Sequence, residues 1–121
     1  MKQKLVSIVE DDRFFRESME RLLRSLGYKV HAFPSASEFL SSPHLGETAC
    51  LIADVNMPGM TGLALYKQLV DTGRRIPTIL VTAFPNDIDR SRALADGVAL
   101  YLAKPVDHST LTQCLSEILA P

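Results

Sequence analysis

The sequence predicts an α/β fold in which helices cover both faces of a doubly wound parallel sheet. Three observations lead to this prediction. Short apolar runs alternate with amphipathic segments five times along the chain. The apolar runs are nearly continuous, which is typical of parallel strands buried on both faces. Several runs end in acidic, hydroxyl or lysine side chains, and the ligands of open α/β sheets bind at such strand ends.

The predicted strands are short apolar runs bounded by proline, glycine or charged residues. They comprise residues 5–9, 28–33, 50–54, 78–81 and 99–103. The third run is Cys50-Leu-Ile-Ala-Asp54, and the loop after it contains Pro58 and Gly59. Its last residue therefore places a carboxylate at a strand end.

The first two helices are predicted from apolar periodicity and capping residues. The first begins near Asp12 and ends at Gly27, because glycine is typical of the position just after a helix. Its apolar stripe consists of Phe15, Met19, Leu22, Leu23 and Leu26. The second begins at Ser35 and ends at Leu40, and Glu38 completes the capping-box spacing.

Two later helices, over residues 62–71 and 108–119, each have a clear apolar face. The face predicted for the first of them consists of Leu63, Tyr66, Leu69 and Val70. The face predicted for the second consists of Leu111, Cys114, Leu115, Ile118 and Leu119. Both helices are therefore expected to pack on the sheet.

The helix predicted between them, over residues 86–96, has the weakest pattern. Its apolar face consists only of Ile88, Leu94 and Ala95 among several charged residues. A poorly anchored helix beside a charged strand end is a candidate for motion.

Length and composition fit one globular domain, which is predicted to span residues 1–121. At 13.4 kDa the chain can bury a core without disulfides or a structural metal. Apolar residues make up 46% and charged residues 22%, as is ordinary for a globular protein. Cys50 and Cys114 lack a metal-ligand spacing, so they are predicted to be reduced thiols in the core.

Charge and hydropathy exclude two classes of partner. The formal net charge is −1 and the basic residues are scattered, so direct nucleic-acid binding by this chain is not expected. No apolar run approaches the length of a membrane span, and the first one is too short for a signal peptide. We therefore expect a cytoplasmic protein with no membrane partner.

Four strand ends carry the residues of a predicted site. Glu10 and Asp11 follow the first strand, and Asp54 ends the third. Thr82 follows the fourth strand, and Lys104 follows the fifth. Because the carboxyl ends of parallel strands meet at one edge of a sheet, we expect these side chains to converge.

This set of residues favours magnesium-dependent phosphoryl chemistry. Clustered carboxylates without His or Cys favour Mg²⁺, which prefers oxygen ligands. A carboxylate such as Asp54 can attack phosphorus and form an aspartyl phosphate. Phosphoryl transfer also needs groups that neutralise the phosphoryl oxygens, and Mg²⁺, Lys104 and Thr82 suit that purpose. A cis bond before Pro105, where proline makes one accessible, is a hypothesis for how the lysine is directed toward the strand ends.

Four motifs belong together, at residues 6–12, 54–62, 81–83 and 101–105. They read Val-Ser-Ile-Val-Glu-Asp-Asp, Asp-Val-Asn-Met-Pro-Gly-Met-Thr-Gly, Val-Thr-Ala and Tyr-Leu-Ala-Lys-Pro. With them the whole chain resembles the receiver domains of two-component response regulators. It is most similar to the FixJ-type branch, whose receivers often precede a helix-turn-helix output domain. The resemblance implies a flavodoxin-like (βα)5 fold with a five-stranded parallel sheet in the order 2-1-3-4-5.

The resemblance also implies a role for each site residue. Asp54 is then the phosphoacceptor, and Glu10 and Asp11 are the acidic pair that binds Mg²⁺. Asn56 offers its backbone carbonyl to the same ion. Lys104 corresponds to the lysine that receivers use in phosphoryl transfer.

By the same resemblance, Thr82 and Tyr101 form a switch pair that moves on phosphorylation. The implied donor is a phosphohistidine on a sensor histidine kinase, and the receiver catalyses its own phosphorylation and dephosphorylation without being an enzyme in the usual sense. A phosphorylation-dependent homodimer is a further expectation. The chain departs from the commonest receiver pattern at Val106 and at Phe84-Pro85, which affects the expected output surface.

Three other functions fit parts of the pattern. Phosphohydrolases of the haloacid dehalogenase type also use an Asp nucleophile, but after the first strand and in an Asp-x-Asp motif, whereas Asp54 ends the third strand and Asn56 lies two residues on. A degenerate receiver would lack the acids or the lysine. A flavodoxin-like binding domain would carry a phosphate loop rich in glycine, serine or threonine after the first strand.

Overall fold

The structure is a computed structural model that describes residues 3–120. Met1, Lys2 and Pro121 lie outside the described residues, and with them both ends of the predicted domain. The strands are β1 (Leu5–Val9), β2 (Lys29–Phe33), β3 (Thr48–Asp54), β4 (Thr78–Thr82) and β5 (Leu100–Ala103). The helices are α1 (Arg13–Ser25), α2 (Ala36–Leu40), α3 (Gly62–Asp71), α4 (Asp87–Ala95) and α5 (His108–Ile118). A 3-10 turn, Leu45–Glu47, which the sequence did not predict, precedes β3.

The strands form one parallel sheet in the order β2-β1-β3-β4-β5, which confirms the predicted fold class. Val9 pairs with Ala53, and Asp54 pairs with Val81, so β1, β3 and β4 end side by side. The chain order reverses between β1 and β3, and such a switch point is where ligands bind in open α/β sheets.

Helices cover the sheet in two layers, each with its own apolar core. The layer of α1 and α5 packs Met19, Leu23, Leu111 and Leu115 against one face. The layer of α2, α3 and α4 packs on the opposite face, and its buried helix residues are Ala36, Phe39, Leu65, Tyr66, Leu69 and Ala93. Successive strand residues alternate between the two cores, as the period of a strand requires.

Several predicted helix faces need correction. In α3, Leu65 is fully buried, whereas Leu63 and Val70 are only half-buried. In α4, the buried residue is Ala93, and the predicted Ile88 is 71% exposed. The predictions placed each apolar residue on a single stripe, but helix orientation on the sheet decides which of them become buried.

The predicted N-cap Ser35 is confirmed, and Asp12, near which the first helix was predicted to start, also caps its helix. The Asp12 side chain accepts a hydrogen bond from the Phe14 N–H, and Ser35 accepts one from the Glu38 N–H. Both satisfy donors that a helix start leaves unpaired. None of the described helices is long and apolar enough to cross a membrane.

Candidate functional site

Asp54 ends β3 in a buried position, with 5% of its surface exposed. The backbone N–H of Asn56 donates to Asp54 Oδ1 over 3.2 Å, which fixes the carboxylate against the following loop. Gly62 starts α3 directly behind this residue. A Cβ atom at Gly62 would lie 2.5 Å from the Asp54 carbonyl oxygen, so only glycine allows the helix to start so close to the strand end.

Three carboxylates meet at the carboxyl edge of the sheet, as predicted. Glu10, Asp11 and Asp54 each offer an oxygen, and these oxygens lie within 4.8 Å of one another. Glu10 is 1% exposed, whereas Asp11 faces solvent. An all-oxygen set with an open side fits Mg²⁺, which keeps several waters when it binds to proteins. This acidic cluster is typical of the magnesium site of receiver domains.

Lys104 enters the cluster from the end of β5. Its Nζ lies 2.5 Å from Glu10 Oε1 and 3.5 Å from Asp54 Oδ2. The backbone N–H of Lys104 donates to the Thr82 carbonyl over 2.8 Å, which connects the end of β5 to the end of β4. The peptide bond to Pro105 is cis, as hypothesised. The lysine therefore approaches both carboxylates from the β5 side.

Burial and neighbouring charges both shift the pKa values of Glu10 and Lys104. Burial, together with the Asp54 carboxyl and against the opposing effect of Lys104, raises the pKa of Glu10 from 4.5 to about 7. Burial lowers the pKa of Lys104, but its hydrogen bond to Glu10 and the two negative charges outweigh burial and raise it. A cation at the open side of the cluster would favour the ionised carboxylates further.

Thr82 ends β4 and is fully buried. Its hydroxyl oxygen accepts hydrogen bonds from Asn56 Nδ2, over 2.9 Å, and from the Phe84 N–H, over 3.0 Å. Because the oxygen accepts both bonds, the hydroxyl proton stays available to donate. The hydroxyl thus connects the loop that follows Asp54 with the loop that leads to α4.

Tyr101 lies one strand farther from the acids and is 7% exposed. Among the described residues, its hydroxyl is the one buried side-chain polar atom without a hydrogen-bond partner. The ring borders a cavity of about 220 Å³ under α4, which Asn56, Leu80 and Ala93 also line. The family resemblance implies that this ring moves on phosphorylation, and in this structure it is buried.

Two residues at the site were not among those predicted. The guanidinium of Arg16 donates to the Glu10 carbonyl over 2.7 Å and so braces the end of β1. The ring of Phe15 lies under Lys104, with Nζ 4.3 Å from its centroid. Phe15 had been assigned to the apolar stripe of α1. Its position in the first helical turn after the acids was the signal that could have placed it at the site.

Comparison with known proteins agrees with this geometry. A family model described as the response regulator receiver domain matches residues 6–116. Nodulation protein W of Bradyrhizobium diazoefficiens is 39% identical over 101 residues, which cover 84% of this chain and 44% of that protein. Transcriptional regulatory protein FixJ of Azorhizobium caulinodans is 34% identical over 106 residues, which cover 88% of this chain and 50% of that protein. The chain spans about half the length of these curated relatives.

Solved structures give the same result. The structure of the response regulator StyR superposes with a TM-score of 0.87 and 34% identity, covering 98% of this chain and 60% of that chain. The predicted resemblance to receivers of the FixJ-type branch is confirmed by these relatives. The chain therefore belongs to the response regulator receiver domain family, as a signalling module rather than a classical enzyme.

Proposed function

We propose that Asp54 accepts a phosphoryl group from a phosphohistidine of a sensor histidine kinase. The observation that supports this most strongly is the convergence of Glu10, Asp11, Asp54 and Lys104 at one edge of the sheet. Phosphoryl transfer depends on positioning and on charge neutralisation, and this cluster supplies a nucleophile, a cation and oxygen ligands together.

In the proposed reaction an Asp54 carboxylate oxygen attacks phosphorus. The bond between phosphorus and the donor nitrogen breaks, and its electron pair returns to the imidazole. The Asn56 N–H already holds Oδ1 of the nucleophile, which limits its rotation. The Lys104 ammonium, 3.5 Å from Oδ2, lies close enough to stabilise the charge on a phosphoryl oxygen.

The metal that this reaction needs fits the acidic cluster. Glu10, Asp11 and Asp54 would hold Mg²⁺, together with the backbone carbonyl of Asn56 as the family resemblance implies. The bound ion supplies neutralisation of the phosphoryl oxygens. Water later removes the phosphoryl group, which returns the receiver to its starting state.

The proposed response to phosphorylation involves Thr82 and Tyr101. The Thr82 hydroxyl has a proton available, so it can leave Asn56 and donate to a phosphoryl oxygen. That movement pulls the loop before α4 toward the site. Tyr101 packs under α4, so a change in its environment reaches the surface that α4, β5 and α5 form. A local charge change then selects between two arrangements of that surface.

The partners proposed here follow from the family rather than from contacts. A sensor histidine kinase is the donor, and a phosphorylation-dependent homodimer is the proposed output state. Residues 1–121 are proposed to form a single receiver domain, and its location in the cytoplasm and lack of direct nucleic-acid binding stay predictions. The relatives include transcriptional regulatory proteins, so transcriptional output through a further domain is a proposal for any longer protein that contains this chain.

Phosphate-affinity electrophoresis of the protein after exposure to acetyl phosphate tests the proposed function. With Mg²⁺ present, we expect a shifted band that disappears on mild alkaline treatment, as an acyl phosphate does. Chelation of Mg²⁺ and, separately, Lys104→Ala should each reduce the shifted fraction strongly. An equally strong shift in all three samples would contradict the proposed mechanism.

A further inference from the structure

The aromatic ring of Phe15 contacts the Lys104 ammonium, although Phe15 is not among the groups that take part in the proposed reaction. Its centroid lies 4.3 Å from Lys104 Nζ. Phe15 belongs to the first turn of α1, and Asp12 caps that turn through the Phe14 N–H. The helix start therefore brings an aromatic face from the β1 side to the lysine at the end of β5.

Two carboxylates and one aromatic ring surround Lys104 Nζ. Glu10 Oε1 lies 2.5 Å away and Asp54 Oδ2 lies 3.5 Å away, so both negative charges attract the ammonium into the cluster. The Phe15 ring covers another side of it. An ammonium over an aromatic face is attracted by the ring quadrupole, and this attraction grows as water is excluded. Only 15% of the lysine side chain is exposed, so the contact is largely shielded from water.

We propose that Phe15 is a positioning residue for phosphoryl transfer, whose ring face keeps the Lys104 ammonium directed at the oxygens of the incoming phosphoryl group. The inference rests on the proposed function, because it assigns the ring a task within that reaction. When Nζ moves from Glu10 toward a phosphoryl oxygen, the ring gives it a surface to move across. An aliphatic side chain fills similar space but offers no quadrupole.

A role in packing alone is the alternative, since Phe15 is half-buried against the core of α1 and α5. The two roles predict different results for different substitutions. Phe15→Leu keeps an apolar side chain and removes the aromatic face. Phe15→Tyr keeps the face. Phe14→Leu is a matched control, because Phe14 is the preceding residue in the chain and is 83% exposed.

The test combines three measurements on the wild type and these variants. The proton chemical shift of the Lys104 Cε methylene reports a ring beneath it, because an aromatic face shifts such protons upfield. The rate of phosphorylation by acetyl phosphate with Mg²⁺ reports the reaction. Urea denaturation reports whether the fold is retained.

We expect Phe15→Leu to lose the upfield shift and to phosphorylate about three- to tenfold more slowly, the range for a partly shielded cation–π contact. Phe15→Tyr and Phe14→Leu should stay within about a factor of two of the wild type, because neither removes the ring face. If Phe15→Leu does not fold stably, Phe15→Met, which fills more of the space, takes its place in the same comparison.

Three results would overturn the proposal. A folded Phe15→Leu that phosphorylates at the wild-type rate would show that the ring is dispensable. Equal slowing by Leu and Tyr would show that shape rather than the aromatic face matters. If the wild type accepts no phosphoryl group, the proposed function fails, and the absence of an upfield Lys104 shift would then separately refute the ring contact.

Discussion

Helices α1 and α4 follow two strand ends of the same site, yet they are attached to the sheet very differently. α1 buries Met19 and Leu23, and its Arg24 donates to the Val30 carbonyl on β2. α4 buries Ala93 alone, and Ile88 is 71% exposed. The helix next to the acids is thus firmly packed, whereas the helix after Thr82 has little apolar surface to hold it.

This difference matches the separate needs of a switch. The groups proposed to hold Mg²⁺ and the phosphoryl group would have to stay within a few tenths of an ångström, so they would benefit from a rigid neighbour. The element that transmits the signal must change at a small free-energy cost, so it is drawn from the least stable part of the fold. The Thr82 hydroxyl lies between the two regions, with Asn56 on one side and the loop to α4 on the other.

The largest expected effect is on stability. Leu23→Ala should lower the free energy of unfolding by about 3 kcal/mol, because removing this fully buried side chain leaves a cavity in the core. Ile88→Ala, its counterpart on α4, should change it by less than about 0.5 kcal/mol. Urea denaturation of both variants checks the pair. Similar losses for the two would show that α4 is anchored as firmly as α1.

Native-state hydrogen exchange sharpens the same comparison without substitutions. Backbone amides in the middle of α4 should open at a free energy about 2 kcal/mol below those in the middle of α1. Mass spectrometry of peptides from Asp87–Ala95 and Arg13–Ser25 gives both values in one experiment. Uniform protection of the two helices would remove the basis for placing the response in α4.

Magnesium binding probes the rigid side of the site. Asp11→Asn should weaken Mg²⁺ about tenfold or more, because it removes a charged oxygen ligand from the cluster. Asp12→Asn is the matched control, since Asp12 caps α1 and asparagine caps equally well. Calorimetric titration should therefore show near wild-type affinity for the control. Equal weakening by both variants would indicate a general charge effect rather than a ligand.

The smallest effect is expected at the connection between the regions. Thr82→Ala should still allow phosphorylation of Asp54 but weaken the coupling to α4 by about 1 kcal/mol, the net value of a typical hydrogen bond. Thr82→Ser keeps the hydroxyl and should respond like the wild type. The readout is the change in α4 hydrogen exchange on phosphorylation. Identical changes in the wild type and Thr82→Ala would contradict the proposed switch.

Much of this site could be predicted from the sequence because parallel topology does the positioning. Once Glu10, Asp54 and Lys104 were assigned to strand ends, the rule that these ends share one edge brought them together. The contacts of Lys104 with both carboxylates agree with that expected convergence. The strand order came from the family resemblance, and periodicity did not supply it.

Other features depend on how helices rest on the sheet, which periodicity does not specify. The ring of Phe15 and the guanidinium of Arg16 reach the site because α1 starts immediately at the end of β1. On α4, Ala93 is buried and Ile88 is 71% exposed, since the orientation of the helix on the sheet decides which face is covered. The inward position of Tyr101 depends on the space under α4, and no local pattern encodes that space.

The intact mass of the wild type and Asp54→Asn, after incubation with Mg²⁺ and acetyl phosphate, decides whether this site accepts a phosphoryl group. Circular dichroism first establishes that both proteins are folded. We predict that the wild type gains the mass of one phosphoryl group and that Asp54→Asn gains none. Equal gains by both proteins, or no gain by a folded wild type, would contradict the assignment of Asp54 as the phosphoacceptor.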